Sequence, residues 1–394
     1  MKNIHSIRDF ELKNKRLFLR LDLNVPLTEP DESGQRHVQN DNRIQEALPV
    51  IQHARANGAR VILASHLGRP QGNVDAQFSL EPVARTLAHA LETDVVLAED
   101  YLSEGFEMMV KSMKSGEIIL LENLRFHGAE EANQPEFCHA LARFCDLYIN
   151  DAFGTAHRKH ASVYGLPRLV EKKGVGFLIE KELHFLSPLL NAPKKPFHLI
   201  LGGAKVSDKI KTIHRLLRSI DALFIGGAMA HAFTKAKGKS LPDNAKKPSP
   251  EDIEAAKQII KETEKRELPL HLPIDMNASF DIGEKTIALF TEKLQPAKTV
   301  FWNGPLGWFE NEAYAKGTLE IAKALAKTNA TKIVGGGDTV AAVLQSGVAS
   351  QFDHLSTGGG AVLKFLEGKG LPGIDVLTFN PNRAQSSVLE PEDD

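Results

Sequence analysis

Short apolar runs alternate with longer amphipathic segments along almost the whole chain, and this alternation most narrows the folds available to it. Repeated strand-helix-strand units build parallel sheets, so the pattern predicts α/β domains. In the first half the predicted strands are Leu17–Leu23, Val61–Ser65, Val95–Ala98, Ile118–Leu121 and Leu147–Asn150. In the second half they are His198–Leu201, Ala222–Ile225, Leu270–Ile274, Thr299–Trp302, Lys332–Val334 and His354–Ser356. Each half therefore has enough strands for a sheet of its own.

Amphipathic stretches separate these strands. The predicted helices are Arg43–Ala56, Leu80–Leu91, Ser207–Ile220, Pro250–Glu267 and Gly317–Lys327. Asp41 and Asn42 precede the first of them and are residue types that cap helix N-termini. A further amphipathic segment, Phe177–Leu190, lies between the halves and ends near a Pro-rich stretch. We expect the connection between two domains at this segment.

The length of 394 residues suits two or three domains. We predict an N-terminal domain over residues 1–175, a connecting helix over 176–190 and a C-terminal domain over 191–375. The remaining residues, 376–394, form an acidic tail, for which a return to the first domain is one option.

Composition excludes several function classes. The 48 Lys and Arg against 50 Asp and Glu leave a net charge of −2, which gives no overall attraction to nucleic acid or an anionic membrane. The chain has no apolar run of about 18 residues or more, and its start lacks the apolar region of a secretory signal. Cys138 and Cys145 lack the spacing of a redox or zinc pair, so we predict two buried helical thiols. These features favour a cytoplasmic protein.

Glycine is concentrated where apolar runs of the second half end. The glycine turns are Gly202-Gly203, Gly226-Gly227, Gly335–Gly337 and Gly358–Gly360. In parallel α/β domains such turns lie at the carboxyl ends of strands, where bare backbone N–H groups face the ligand crevice. A tight turn explains any one of them, but four in one half favour phosphate binding.

Two familiar nucleotide motifs are excluded. Gly238-Lys239-Ser240 resembles the end of a P-loop, but Phe233 stands where the first glycine is required, and the segment follows a predicted helical stretch. The chain also has no G-x-G-x-x-G sequence. The sequence therefore gives little support for an ordinary P-loop ATPase or a dinucleotide dehydrogenase.

Arginines of the first half occupy the ends of predicted strands and the start of a helix. Arg69, Arg125 and Arg158 follow three strands, and Arg43 begins the first helix. Guanidinium groups match the oxygens of phosphate and carboxylate. A surface ion pair explains any single arginine, but the set predicts one site for a small polyanion.

Seven motifs in order carry a specific resemblance. They are RLDLNVP at 20–26, HLGRP at 66–70, NDAFGTAHR at 150–158, GGAKVSDK at 202–209, WNGPLGWFE at 302–310, GGGDT at 335–339 and STGGGA at 356–361. This set resembles the phosphoglycerate kinase family and spans nearly the whole chain. The resemblance implies two Rossmann-like three-layer domains with parallel sheets, joined by a hinge helix. It also implies reversible in-line phosphoryl transfer from 1,3-bisphosphoglycerate to Mg-ADP, giving 3-phosphoglycerate and ATP, with domain closure in a monomer.

The resemblance also implies a set of site residues. Those expected to bind the phosphoglycerate are Asp22, Leu23, Asn24, Arg43, His66, Leu67, Gly68, Arg69, Arg125 and Arg158. Those expected to bind the nucleotide are Gly203, Ala204, Lys205, Lys209, Gly227, Asn303, Glu310, Gly336, Gly337, Asp338 and Thr339. Arg43 and Lys209 are the expected catalytic residues, and Asp338 is the expected ligand of Mg²⁺. The spacing of Lys205 and Lys209 predicts that both lie on one face of a helix beginning near Val206.

The chain departs from the family pattern near the expected adenine site. Only Ser279 and Phe280 separate two segments that the family usually joins by a longer stretch containing a Gly-Leu pair, and residues 237–248 are also shortened. Trp308 and Lys364 stand where other residues are usual. Two alternatives stay open at this point: a non-catalytic binding protein with the same fold, and a kinase for another small phosphorylated acid.

Overall fold

The computed structural model describes residues 3–379, which divide between two compact units. Unit 1 contains the described residues up to Lys181 and those from Leu371 onward, and unit 2 contains Glu182–Gly370. The start of the predicted tail, residues 376–379, therefore belongs to unit 1, and the rest of that tail lies outside the described residues. Leu371 to Asp375 also belong to unit 1, where Gly373 N donates to Ala156 O at 2.9 Å.

Unit 1 is built on a single parallel sheet. Its strands are β1 (Arg16–Leu21), β2 (Arg60–Ala64), β3 (Val95–Ala98), β4 (Ile118–Leu121), β5 (Leu147–Asp151) and β6 (Lys173–Val175). Its helices are α1 (Asn42–Ala56), α2 (Glu81–Leu91), α3 (Glu104–Ser112), α4 (Gly128–Glu131), α5 (Pro135–Ala142) and α6 (Leu166–Leu169). Helix α7 (Phe177–Asn191) leads from unit 1 into unit 2.

The sheet of unit 1 has the strand order β3-β4-β2-β1-β5-β6, and every pair is parallel. Leu19 pairs with Leu63 on one side and Ile149 on the other, and all three are fully buried. Because helices cover both faces of a parallel sheet, its strands are nearly continuous apolar runs rather than alternating ones. The carboxyl ends of β1, β2 and β5 consequently meet at one edge.

Unit 2 repeats this plan. Its strands are β7 (Phe197–Leu201), β8 (Ala222–Ile225), β9 (Leu270–His271), β10 (Met276–Asn277), β11 (Asp281–Ile282), β12 (Thr299–Asn303), β13 (Thr331–Gly335) and β14 (His354–Leu355). Its helices are α8 (Ile210–Leu216), α9 (Ala230–Ala236), α10 (Pro250–Lys265), α11 (Glu284–Leu294), α12 (Lys316–Ala326), α13 (Gly337–Gln345) and α14 (Gly360–Leu366). The short helix α15 (Pro372–Asp375) follows in unit 1.

The main sheet of unit 2 has the order β14-β13-β12-β7-β8-β9, again parallel throughout, while β10 and β11 form a small antiparallel pair. At its centre Phe301 pairs with Ile333 and Leu199. The prediction of two parallel-sheet α/β domains is confirmed.

Several element boundaries differ from prediction. The predicted strand Leu270–Ile274 is only Leu270–His271, since Pro273 has no N–H to donate to a sheet. The predicted helix Ser207–Ile220 is a 3₁₀ turn over Ser207–Lys209 followed by α8. Strand β6 (Lys173–Val175) lies at the end of the predicted N-terminal domain and is not among the predicted strands.

The two cysteines differ from each other. Cys138 is buried in α5, as predicted, but Cys145 lies beyond the end of that helix and is half-buried. Both thiols are free, and burial raises the pKa of Cys138 to about 11 and that of Cys145 to about 12. Neither thiol is therefore activated as a nucleophile.

Within residues 3–379, none of the helices combines the length and the apolar character needed to cross a membrane.

Candidate active site

Basic side chains gather at the carboxyl edge of the unit 1 sheet. Arg43 projects from the first turn of α1, and its Nη1 donates to Asp22 Oδ1 at 2.7 Å. The Asp22 side chain is 9% exposed and that of Arg43 is 33% exposed, so the carboxylate anchors a guanidinium that still reaches solvent. Asn24 Oδ1 accepts from Gly68 N at 2.9 Å and ties the turn after β1 to the turn after β2.

A buried asparagine and arginine shape the neighbouring turn. Asn123 Oδ1 accepts from the backbone N–H groups of Leu67, at 3.2 Å, and Arg125, at 3.0 Å. Arg125 Nη1 then donates to Gly68 O at 2.8 Å, and its Nε lies 3.2 Å from Glu131 Oε1. With only 4% of its surface exposed, Arg125 is held in place before any ligand arrives.

Two histidines beside these arginines are neutral. Burial, together with nearby Arg20, Arg125 and Arg43, holds the pKa of His66 well below its usual value. Burial and the charges of neighbouring arginines, beginning with Arg125, lower the pKa of His160 to about 3. The positive charge of this cluster is therefore carried by arginine alone.

The other predicted substrate residues of unit 1 occupy different positions. Arg158 is half-buried and close enough to Arg125 to lower its pKa, so it joins the cluster. Arg69 is exposed on the same turn as Gly68. Leu23 N donates to Ser65 Oγ at 2.9 Å, which ties the loop after β1 to the end of β2. Sequence reasoning missed His160, which stands just beyond the quoted NDAFGTAHR motif.

In unit 2 two of the four glycine turns bond to the segment that follows β12, so Gly203 and Gly227 do not offer the bare N–H groups that the sequence pattern predicted. Gly203 N donates to Pro305 O and Gly227 N donates to Leu306 O, both at 2.8 Å. Gly227 has φ +62°, and a Cβ atom there would lie 2.8 Å from Gly203 N. A side chain at Gly227 would therefore push the two turns apart, which explains why glycine is required at that position.

Lys209 is fixed beside these turns. Its Nζ donates to Gly202 O at 2.7 Å and to Asn303 O at 2.9 Å. Burial lowers the pKa of Lys209 to about 8, while Asp208 and Asp338 act in the opposite direction. The ammonium group is thus still protonated at neutral pH, and its two carbonyl partners fix its position.

Lys205 does not share a helix face with Lys209. The helical turn begins at Ser207, after Lys205, so the prediction of a common face is wrong. Asp252 Oδ1 accepts from the N–H groups of both Val206, at 2.9 Å, and Ser207, at 3.0 Å. These bonds fix the start of the helical turn at Ser207. Lys205, like Ala204, is exposed on the loop before it.

The GGGDT motif forms the start of α13. Gly336 is the N-cap residue with φ +94°, and Asp338 is exposed in the first turn without a capping hydrogen bond. Thr339 is 1% exposed, and its Oγ1 accepts from Gly304 N at 2.6 Å, while Asn303 Nδ2 donates to Gly335 O at 2.8 Å. Asp338 is therefore the motif's accessible polar side chain. Glu310 is also exposed, after β12.

A cavity of about 380 Å³ opens beside the Gly227 turn. Its wall includes Ala230, whose N–H donates to Gly227 O at 3.1 Å. The other lining residues are His231, Thr234, Leu241, Pro242, Asn244, Pro273, Ile274, Asp275, Met276, Ala278 and Ser279. The two shortened segments noted in the sequence thus both contribute to one apolar recess next to the glycine turns.

The chain is similar to phosphoglycerate kinases in family, sequence and structure. The model of the family described as phosphoglycerate kinase matches residues 7–369. Phosphoglycerate kinases from Koribacter versatilis (47% identity, covering 95% of this chain and 98% of the relative) and Anaeromyxobacter sp. strain Fw109-5 (45%, 95% and 99%) are similar along nearly their whole length.

Solved structures agree with these sequences. The phosphoglycerate kinase of Coxiella burnetii has a TM-score of 0.85 at 38% identity, covering 95% of this chain and 98% of that one. That of Pyrococcus horikoshii has a TM-score of 0.82 at 32% identity, with the same coverage. Phosphoglycerate kinases thus match nearly the entire chain. This agrees with the ordered motifs, the two parallel-sheet units and the basic and glycine-rich strand ends. The chain belongs to the phosphoglycerate kinase family.

Proposed function

We propose that the two strand-end clusters divide the family's substrates between them, with the phosphoglycerate on unit 1 and the nucleotide on unit 2. As a phosphoglycerate kinase, the protein transfers a phosphoryl group between the acyl phosphate of 1,3-bisphosphoglycerate and ADP, with 3-phosphoglycerate and ATP as the other pair. The observation that carries the division is the contrast in chemistry. Unit 1 presents anchored guanidinium groups, which suit a small acid that carries both a phosphate and a carboxylate. Unit 2 presents glycine turns and an ammonium group, which suit a phosphate chain.

The arginines of unit 1 have separate tasks in this proposal. Arg125 and Arg158 bind oxygens of the phosphoglycerate, with His66 beneath them. Arg43 is more exposed than Arg125 and is oriented by Asp22, so it reaches the carboxylate that accepts the phosphoryl group. Asn24, Leu67 and Gly68 hold the turns in register.

The nucleotide phosphates are bound by Lys209 and by the amides at the start of α13 around Gly336, since the Gly203 N–H already donates to Pro305 O. Asp338 is the residue that would hold Mg²⁺. Among residues 3–379 no group of three or more His, Cys, Asp or Glu side chains forms a metal site, and one exposed carboxylate suits an ion coordinated mostly by phosphate oxygens and water. Bound there, Mg²⁺ would neutralise charge on those phosphates.

The chemical step needs no covalent bond to the protein. In an in-line transfer, negative charge lies on the equatorial oxygens of the moving phosphoryl group. Arg43 and Lys209 stabilise that charge because their own partners hold them in place before the reaction begins. Domain closure, which would exclude water as a competing acceptor, stays a prediction that small-angle scattering with and without both substrates can test.

A coupled assay with 3-phosphoglycerate, Mg²⁺ and ATP tests the proposed function. We expect turnover that depends on all three. Absence of turnover with ATP or GTP would favour the non-catalytic binding protein, and turnover with a different phosphorylated acid alone would favour the other kinase.

Three further expectations rest on sequence only. A monomer, the absence of a nucleic-acid partner and a cytoplasmic location each stay predictions. Light scattering on the purified chain measures the first, with a mass near 43.3 kDa as the expected result.

A further inference from the structure

A chain of buried polar side chains lies beneath His66 in unit 1, and the roles assigned above do not include it. Arg20, on β1, has only 1% of its surface exposed. Its Nε donates to Ser162 Oγ at 2.9 Å, and its Nη1 donates to Leu21 O. Ser162 donates from Oγ to Glu130 Oε1 at 2.6 Å and from its backbone N to Glu130 Oε2 at 2.9 Å. One hydroxyl thus connects a buried guanidinium to a buried carboxyl group.

Glu130 and Arg20 each provide what the other needs. Glu130 is 1% exposed, and burial raises its pKa, whereas the charge of Arg20 and the Ser162 bonds lower it. An isolated buried charge is energetically costly, so the positive charge of Arg20 and the negative charge of Glu130 stabilise each other in the protein interior. Tyr148 adds a further restraint, since its hydroxyl donates to Ser162 O at 2.8 Å. The Arg20 guanidinium is therefore fixed in position.

The remaining nitrogen of this guanidinium faces His66. Arg20 Nη2 lies 3.4 Å from His66 Nδ1. A guanidinium can only donate, so a hydrogen bond between these two nitrogens requires Nδ1 to accept and the imidazole proton to be on Nε2. The groups that lower the pKa of His66, besides burial, are Arg20 from β1, Arg125 from the turn after β4, Arg43 from α1 and His160 from the segment after β5. All are basic, so the ring stays neutral.

We propose that Glu130, Ser162 and Arg20 are positioning residues that hold His66 as a neutral Nε2–H donor to an oxygen of the bound phosphoglycerate. The inference rests on the proposed function, because it takes His66 as part of the substrate site. His66 is 5% exposed, so a ligand reaches only a small part of its ring. A donor of this kind binds the substrate without titrating near neutral pH, unlike an unrestrained histidine.

Nitrogen-15 NMR of the full-length chain tests this assignment, with His66→Gln identifying the resonances among the 15 histidines. In the wild type we expect His66 to carry its proton on Nε2 and not to titrate between about pH 5.5 and 8.5. In Arg20→Met we expect mixed tautomers and a titration shifted toward the normal range. Arg20→Lys, which keeps a donor, should retain the Nε2–H form.

Kinetics separate positioning from general stability. We expect Arg20→Met to raise KM for 3-phosphoglycerate about fivefold and make it pH-dependent near pH 6 to 7, with KM for ATP unchanged. Ser162→Ala keeps both charges and should produce a smaller change in the same direction, which provides a test if Arg20→Met fails to fold. Arg16→Met is the matched control, because Arg16 lies at the other end of β1 and pairs with Asp146.

Two results would overturn the positioning role of Glu130, Ser162 and Arg20 while leaving the enzyme's function intact. One is an active wild type whose His66 carries the proton on Nδ1, and the other is an unchanged His66 resonance in both Arg20→Met and Ser162→Ala. Failure of the proposed function is distinguishable, since it would appear as a wild type without turnover whatever the tautomer of His66.

Discussion

The two units share a sheet plan, but the proposed anion sites on them are built from different groups. Unit 1 uses side chains whose positions are fixed by other side chains, as Asp22 fixes Arg43 and Glu131 flanks Arg125. Unit 2 uses backbone groups, and its ammonium group is fixed by the carbonyls of Gly202 and Asn303. Removing side chains should therefore disable unit 1, whereas unit 2 should be more sensitive to changes that displace its backbone.

The largest expected effect follows from removing Arg43. Arg43→Ala should lower kcat at least about a hundredfold, because a fixed donor aimed at developing charge is lost. Arg43→Lys should recover little, since an ammonium group cannot reproduce the forked contact. Steady-state kinetics with circular dichroism checks this, and Arg60→Ala, which alters a half-buried arginine bonded to Asn14 O, is the control. Near-normal turnover in a folded Arg43→Ala enzyme would contradict its catalytic role.

Lys209 gives the corresponding test in unit 2. Lys209→Met should lower kcat about thirtyfold, a smaller loss because backbone amides share the phosphate charge. Since burial lowers the pKa of Lys209 to about 8, the wild type should lose activity as pH rises through about 8 and the ammonium deprotonates. In Lys209→Arg that loss should disappear, because guanidinium stays charged. The pH profile of kcat measures this, and the same alkaline loss in both enzymes would assign it to another group.

The glycine turns test the backbone side of the comparison. Gly227→Ala should raise KM for ATP about tenfold and destabilise the fold, since its Cβ atom would lie 2.8 Å from Gly203 N at φ +62°. Gly238 has a similar φ of +72°, but a Cβ atom there would have no other atom within 4 Å, so Gly238→Ala isolates the cost of the dihedral angle. Urea unfolding and ATP titration of both variants separate the two costs. Equal effects would show that close approach of the turns is unimportant.

Sequence predicted the arginine cluster well because it depends on one rule: parallel strands bring their carboxyl ends to one edge. The buried polar side chains beneath this cluster were less predictable. Arg20 and Ser162 are 142 residues apart, and no local pattern relates them. A distant contact also explains why the predicted common helix face of Lys205 and Lys209 is wrong. Bonds to Asp252, far along the chain, set where the helical turn begins. Local pattern thus predicted which strand ends bring basic side chains together, and tertiary contacts decided the orientation of each side chain.

The smallest expected effect concerns the base of the nucleotide, for which we propose the cavity beside Gly227. Most of its polar side chains already bond to the protein, and His231 Nε2 is a buried lining atom that does not. Asn244 Nδ2 donates to Ala278 O at 2.9 Å, and Asn244 Oδ1 accepts from Ser279 Oγ at 3.1 Å. Thr234 Oγ1 donates to Ala230 O at 3.1 Å. Apolar contact then provides most of the binding, and such sites discriminate weakly between similar ligands.

We therefore expect kcat/KM for ATP and GTP to differ by less than about a hundredfold, whereas a site that reads the base edge by hydrogen bonds would give about 10⁴. Leu241→Ala should raise KM for both nucleotides about fivefold, because the base loses the same apolar contact in each case. Leu344, 47% exposed on α13 and outside the cavity lining, provides the matched Leu→Ala control. A selective loss of ATP alone in Leu241→Ala would mean that the cavity reads the base. In that case unit 2, like unit 1, would recognise its ligand through individual side chains.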